Sequence, residues 1–541
     1  MQQTCRTQYL VTTTFAINII IIQIQIYVIL NSKEVSVIIK VNFRYDGDDM
    51  ILDFTAKKIA ATIDSFNNPN KALFIYGHTG KGKTYSALKY CAENKNCLYF
   101  SFRNLDSEFA LRVFSNAYPE IFTPTSDWSD FFKQLACYSK KNRLTVFFDH
   151  IGDRNDKDEF NSALSAFLET NGNTKIILIG KKLTVKEWEK IGVPYTYTTP
   201  KHVSTQEIAD ILSISNELSV KLYCLTDGIP SLLEEYNTEL TFEDNLKMFL
   251  NVNSKYYQLA VNWMKENFRT PETYNTLLFG MANGYNRISE LAKFSGYPKN
   301  KCDKYIKALA EYHLVEKQKV ENGHSRYYPN GNYLTLWYKF LLTTIPNADG
   351  SFSDELIGRF TEYLDKIILA DFYKDMCDFW VGSELNHFSH SYVDTENPDY
   401  HDVKLDDITF GFACESYGTN FYIYYNNVPN DKLTSELWAN IEKATTKTSP
   451  FYKNEYFICT VNSVPKSYWE LSKQYDNVHI IQLKSMFSKF NKDYNRKMHP
   501  RFVPSFVRYR YTKKNRPSCS KLLCFGWIWA GLFNLNKSII Y

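Results

Sequence analysis

The chain has no CxxC pair. Its eleven cysteines, among them Cys91, Cys97, Cys137, Cys224, Cys302 and Cys377, are scattered. That spacing fits reduced cytosolic thiols and speaks against a disulfide framework or a cysteine-ligated zinc site. Net charge is also scarce: a formal +4 over 541 residues excludes a grossly basic nucleic-acid coat and leaves only local patches to consider. There is no internal repeat and no low-complexity tract. A chain of 541 residues is too long for one hydrophobic core, so it is expected to hold three or four domains. What is present is the composition of a soluble globular protein, 44% hydrophobic and 23% charged. The aromatic excess, with abundant Lys, Asn and Ile, reads as coding bias and carries no functional weight.

Residues 1–49 admit more than one reading. Tyr9 to Leu30 is largely apolar and long enough to cross a bilayer as a helix. Against that, Asn18, Gln23 and Gln25 lie mid-segment, β-branched residues dominate, and QIQIYVI alternates like a strand. No small-x-small cleavage site follows, which disfavours a signal peptide. A third reading starts translation at Met50. The expected location is cytoplasmic, with anchoring by residues 9–30 as the alternative. Leu522–Leu532 is too short to span a membrane.

From Met50 a helical stretch leads to a polar turn and a buried strand, Ala72–Tyr76. Further strands are expected at Cys97–Phe102, Leu144–Phe148 and Lys175–Ile179, with helices between them. Strands alternating with helices predict a parallel, doubly wound α/β sheet over 50–199. Helical segments fill 200–268. At 269–345, ISELAKFSG, KNKCDKYIKALAEYH and a hairpin turned at Glu321-Asn322-Gly323 have the outline of a winged helix. Mixed strands and helices occupy 350–515, and 516–541 is a tail.

GHTGKGKT at 77–84 satisfies G-x-x-x-x-G-K-T, following an apolar strand and opening a helix. Gly77, Gly80 and Gly82 allow the tight backbone that turns N–H groups of the loop, His78, Thr79 and Lys81 included, toward phosphate oxygens. The helix running from Lys83 into Tyr85 adds its positive end. Lys83 is expected to reach the β- and γ-phosphates of ATP, and the Thr84 hydroxyl to ligate Mg²⁺. LTVFFDH at 144–150 is an apolar strand ending in a carboxylate, with Asp149 placed for the Mg²⁺ shell. His150 follows, where many such ATPases carry a Glu that polarises the attacking water. Histidine is either a weaker substitute or itself the base; Asp153 is another substitute.

The order of phosphate loop, LTVFFDH, KIILIG, LTDGIPSLLEEY, winged helix and C-terminal α/β region resembles the archaeal-type ATPase family, a branch of the AAA+/STAND-like P-loop proteins, over about residues 50–490. The resemblance implies a P-loop NTPase core, a helical lid, a winged helix and a nuclease-like α/β domain. It also carries Gly228 and Pro230 of TDGIP to the nucleotide. This chain departs from the family at Gly180-Lys181, where a small polar residue is usual. The N-terminal Gly-Arg-Glu box is absent, with Phe43-Arg44-Tyr45 in its place. In many relatives the C-terminal region resembles a restriction-endonuclease-like nuclease. Here Asp402 or Asp406 and Glu415 supply acids, but Glu415-Ser416-Tyr417 ends without the required lysine. A nuclease-like fold without catalysis is expected.

The functional expectation is an ATP-binding, slowly hydrolysing switch coupled to the winged helix and a protein partner. The alternatives are a DNA-binding or DNA-processing protein gated by ATP, and a nucleotide-binding scaffold without turnover. DNA would be met by Lys299, Lys301, Lys304 and Lys307 on the candidate recognition helix, with Lys317, Lys319 and Arg326 on the wing. Asp303, Glu311 and Glu316 dilute that patch.

Overall fold

The computed structural model describes residues 8–17, 20–31, 34–45, 50–103, 105–125, 127–153, 157–170, 172–181, 192–318, 325–374, 376–377, 403–405, 408–410, 412–416, 419–429, 433, 439, 453–482 and 487. Two compact units are defined. The first joins residues 1–203 to 229–239 and 261–269; the second comprises 204–228, 240–260 and 270–541.

In the first unit, β1 (Gln8–Ile17), β2 (Ile20–Asn31) and β3 (Glu34–Tyr45) form an antiparallel meander, with Gln8 opposite Ile29 and Ile20 opposite Tyr45. The alternative of a spanning helix over 9–30 is not what forms there; the strand-like alternation of QIQIYVI is. The β-branched, alternating sequence takes the strand form that suits it. No helix among the described residues is long and apolar enough to cross a membrane.

The apolar runs then build a five-stranded parallel sheet from β4 (Ala72–Tyr76), β5 (Cys97–Ser101), β6 (Leu144–Asp149), β7 (Thr174–Gly180) and β8 (Tyr195–Thr198). Their spatial order is β5-β6-β7-β4-β8. Alternation within each strand sorts side chains to two faces. Leu73, Ile75, Phe147, Ile177 and Ile179 pack under α1 (Met50–Ser65) and α2 (Lys83–Glu93). Phe74, Phe100, Val146, Phe148 and Leu178 pack under α3 (Ser107–Ala117), α4 (Trp128–Ser139) and α5 (Lys157–Thr170). The second face is aromatic: the Phe100 ring meets Phe114 at 4.8 Å and Phe148 at 5.3 Å. Burying each such ring contributes roughly 1.5–3 kcal/mol, and together they fix the sheet edge on which the loops ride. Cys91 and Cys97, expected as separate reduced thiols, are joined by a disulfide between the end of α2 and the start of β5. The connecting turn brings their sulfurs together, which CxxC spacing does not capture.

Among its described residues up to 369, the second unit is helical apart from one short strand pair. Helix Thr205–Leu212 starts from a capping box, Ser204 with Glu207. Asp227, in the left-handed region at φ 52°, accepts the Asn332 and Tyr333 N–H groups at 3.0 Å each and so caps helix Asn332–Leu336. Helices Pro271–Ala282, Ile288–Ser295 and Lys299–Glu311 are followed by the antiparallel pair Val315–Gln318 and Arg326–Pro329. Lys319 and the turn at Glu321–Gly323 lie outside the described residues. A mixed four-stranded sheet comes last, in the order Phe412–Ser416, Thr419–Asn426, Lys453–Thr460, Val478–Gln482. Its backbone pairs Glu415 with Asn420. Asp402, Asp406, Tyr417 and Leu522–Leu532 lie outside the described residues.

Candidate functional site

Residues Gly77–Thr84 connect the end of β4 to the start of α2. Gly80 and Gly82 have φ of 94° and 75°, a region that disfavours side chains. A Cβ on Gly82 would meet Leu52 Cδ2 at 3.2 Å and Thr55 Cγ2 at 3.4 Å, so α1 presses directly on the loop. No side chain caps α2, because its N-cap is Gly82. Its first N–H groups, without a capping side chain, suit an anion.

Lys83 curls back over the loop, its Nζ donating to the carbonyls of Gly77 at 2.8 Å and His78 at 2.9 Å. Among the described residues it forms no ion pair. Burial pushes its pKa down to about 8, against the charges of Asp149 and Glu266, which pull it up. An ammonium held this way is short of negative charge, and a phosphate would supply it. Thr84 Oγ1 donates to Asp149 Oδ2 at 2.7 Å. The hydroxyl and the carboxylate thus lie side by side, as two oxygen ligands of one Mg²⁺ must. These features fit a nucleotide with its divalent ion.

Asp149 ends β6 with its side chain 2% exposed. Tyr99 Oη also donates to its Oδ2, at 2.8 Å. Burial and then the Asp149 carboxylate push the Tyr99 phenol far above its ordinary pKa, so it stays a donor. Replacing Tyr99 with Phe would leave the buried carboxylate one bond short. We expect a loss of roughly 1.5–3 kcal/mol in urea unfolding of the nucleotide-free protein. His150 follows at φ 58°. Its N–H donates to Asp149 Oδ1 at 2.7 Å, and its Nδ1 lies 3.2 Å from Ser101 Oγ. Asp153 ends the short turn Ile151–Asp153.

The remaining expected residues divide. His78 lays its ring on Trp263, centroids 4.9 Å apart. The Thr79 carbonyl accepts from Trp263 Nε1 at 3.0 Å, while its hydroxyl donates to Glu266 Oε2 at 2.6 Å. The Gly80 carbonyl accepts from the N–H of Ser231 at 3.1 Å, which brings Pro230, at the head of helix Pro230–Leu233, beside the loop. The Lys81 stem covers Gly77, and its Nζ lies 3.5 Å from the Pro200 carbonyl. Tyr85 turns away to Asp53 Oδ1 at 2.5 Å. Gly228 belongs to the second unit, at φ 67°. Lys181 donates to the Glu266 carbonyl at 3.1 Å. Sequence reasoning missed Tyr99, Ser101, Trp263 and Glu266. Only the first two leave a local signal, as polar side chains two apart in an otherwise apolar strand.

No family model matches the chain. Over 333 residues it is 24% identical to the uncharacterized protein MJECL04 of Methanocaldococcus jannaschii, covering 57% of this chain and 72% of that protein. Among solved structures, it aligns with one of Drosophila ORC bound to AT-rich DNA and Cdc6, at TM-score 0.20 and 11% identity, over 57% of this chain and 94% of that chain. It also aligns with C. elegans PCH-2, at TM-score 0.18 and 12% identity, over 33% of this chain and 48% of that chain. At these scores neither superposition carries an argument. The chain is an α/β protein with a five-stranded parallel sheet and a second, mixed sheet.

Proposed function

We propose that the chain is a P-loop ATPase that binds Mg-ATP through residues 77–84 and hydrolyses it slowly, as a nucleotide-dependent switch. One observation carries this reading. The glycine loop leaves the C-terminal end of a central parallel strand and opens a helix, with Thr84 and Asp149 meeting 2.7 Å apart at its base. Lys83 and the first N–H groups of α2 would hold the phosphates. Thr84 and Asp149 would hold the Mg²⁺, whose contribution when bound is to neutralise charge on the phosphoryl oxygens. With His150 in place of the usual Glu, the attacking water would be poorly oriented and turnover slow. Calorimetric titration with Mg-ATP, with Lys83→Ala as control, tests this reading.

The order of three helices and a strand pair over 271–329 supports a winged helix that reads the nucleotide state out to a protein partner. The mixed sheet after residue 412 is compatible with a nuclease-like domain lacking catalysis. A DNA-binding role is the second reading, favoured by Lys299 and Lys304, which are exposed on one helix. Two neighbours are already engaged: Lys307 with Asp303 at 2.6 Å, and Lys301 over the Tyr297 ring at 4.1 Å. If that helix meets DNA, affinity should fall steeply between low and physiological salt. Reversing Lys301 and Lys304 to Glu should then weaken binding about equally on all sequences in an anisotropy titration. Salt-independent binding, or none, favours the protein partner.

A further inference from the structure

Helix Lys255–Asn267 brings Trp263 and Glu266 onto one face, three residues apart. Both grip the same residue of the phosphate loop: the indole Nε1 bonds the Thr79 carbonyl at 3.0 Å, and the Glu266 carboxylate takes the Thr79 hydroxyl at 2.6 Å. Lys181 fixes the last turn of this helix through the Glu266 carbonyl at 3.1 Å. A carboxylate there is unfavourable on its own account, because a helix C-terminus already carries partial negative charge. Here that cost is offset by the loop, where Glu266 is one of two carboxylates that support the charge on Lys83.

We propose that Glu266 is an internal anion that competes with the phosphates of a nucleotide for this loop, so that nucleotide enters only as the Glu266–Thr79 contact opens. The idea rests on the nucleotide reading above and adds a residue that sets affinity. The repulsion acts on the phosphate chain and not on the base. It therefore weakens any polyphosphate by a similar factor, and salt screens it because Glu266 is exposed.

The test compares the full-length wild type with Glu266→Gln, using calorimetry with Mg-ATP and with inorganic tripolyphosphate at low and high salt. Hydrogen exchange of residues 77–84 without ligand is followed in parallel. Glu266→Gln is expected to tighten both ligands roughly 2- to 5-fold, the size of one charge interaction at an exposed site. The gain should shrink in high salt, and loop exchange in the nucleotide-free protein should quicken. If wild type binds ATP and Glu266→Gln binds it equally or more weakly, the competition is overturned and the contact merely positions the loop. A gain for ATP with none for tripolyphosphate also overturns it, because the effect would then lie at the base. If neither protein binds ATP, the nucleotide reading itself fails and the proposal falls with it.

Discussion

Lys83→Ala is expected to lower ATP affinity on the order of 100-fold or more, since each charge-assisted bond it would make to a phosphate is worth roughly 1.5–3 kcal/mol. The structure adds a second expectation that distinguishes this loss from misfolding. In the nucleotide-free protein the Lys83 pKa lies at about 8, below its ordinary 10.5. Between those values the unfolded chain binds more protons than the folded one, so stability should rise with pH across that window. The penalty is full below about pH 8 and gone above 10.5. Lys83→Ala removes the ammonium, and with it that rise. Urea midpoints from pH 7 to 10.5, beside calorimetry with ATP, check both parts. Unchanged ATP affinity would overturn the phosphate-loop assignment, and a midpoint that collapses at pH 7 would mean the lysine supports the fold.

His150→Glu is expected to raise single-turnover hydrolysis while leaving ATP affinity nearly unchanged. A well-placed base contributes roughly 10²–10⁴-fold, and only part of that should be recovered at a position built for histidine. The position has a definite shape. At φ 58° the backbone is left-handed, a conformation that costs a non-glycine residue roughly 1 kcal/mol or more, and histidine already bears it. The imidazole Nδ1 lies 3.2 Å from Ser101 Oγ, so only the far nitrogen can address a water. If that nitrogen is itself the base, the outcome reverses. His150→Ala would lose turnover deeply and His150→Glu would gain little. Single-turnover rates for the three proteins decide between slow switch and histidine-based ATPase.

The parallel sheet was legible because β4 is an unbroken apolar run and β6 and β7 are mostly apolar, with turn residues on either side. A strand buried on both faces writes itself into sequence that way. β8 was not, since Tyr195–Thr198 alternates tyrosine with threonine and lies partly exposed at the sheet edge. The N-terminal stretch was ambiguous because apolar length argues for a helix while β-branching and alternation argue for strands. At the loop, spacing alone pointed to Gly77–Thr84 and Asp149. Glu266 and Trp263 meet Thr79 across 187 and 184 residues, a distance over which no local pattern speaks. The Cys91–Cys97 pair escaped for a nearer reason: whether two thiols meet depends on the turn between a helix and a strand, not on their count.

The sheet order has a consequence for how the molecule comes into being. β4 leaves the ribosome before any other strand of its sheet, yet its hydrogen-bonding neighbours are β7 and β8, with Leu73 paired to Ile177 on one side and Thr196 on the other. Closing loops of that length carries an entropic cost that later contacts must repay, and topologies of this kind fold slowly. Until residue 180 has been made, β4 has no strand of its sheet to pair with. During that interval an apolar strand waits without partners while the polypeptide between them is synthesised. Chaperone protection should therefore matter most while residues 72–180 are being made.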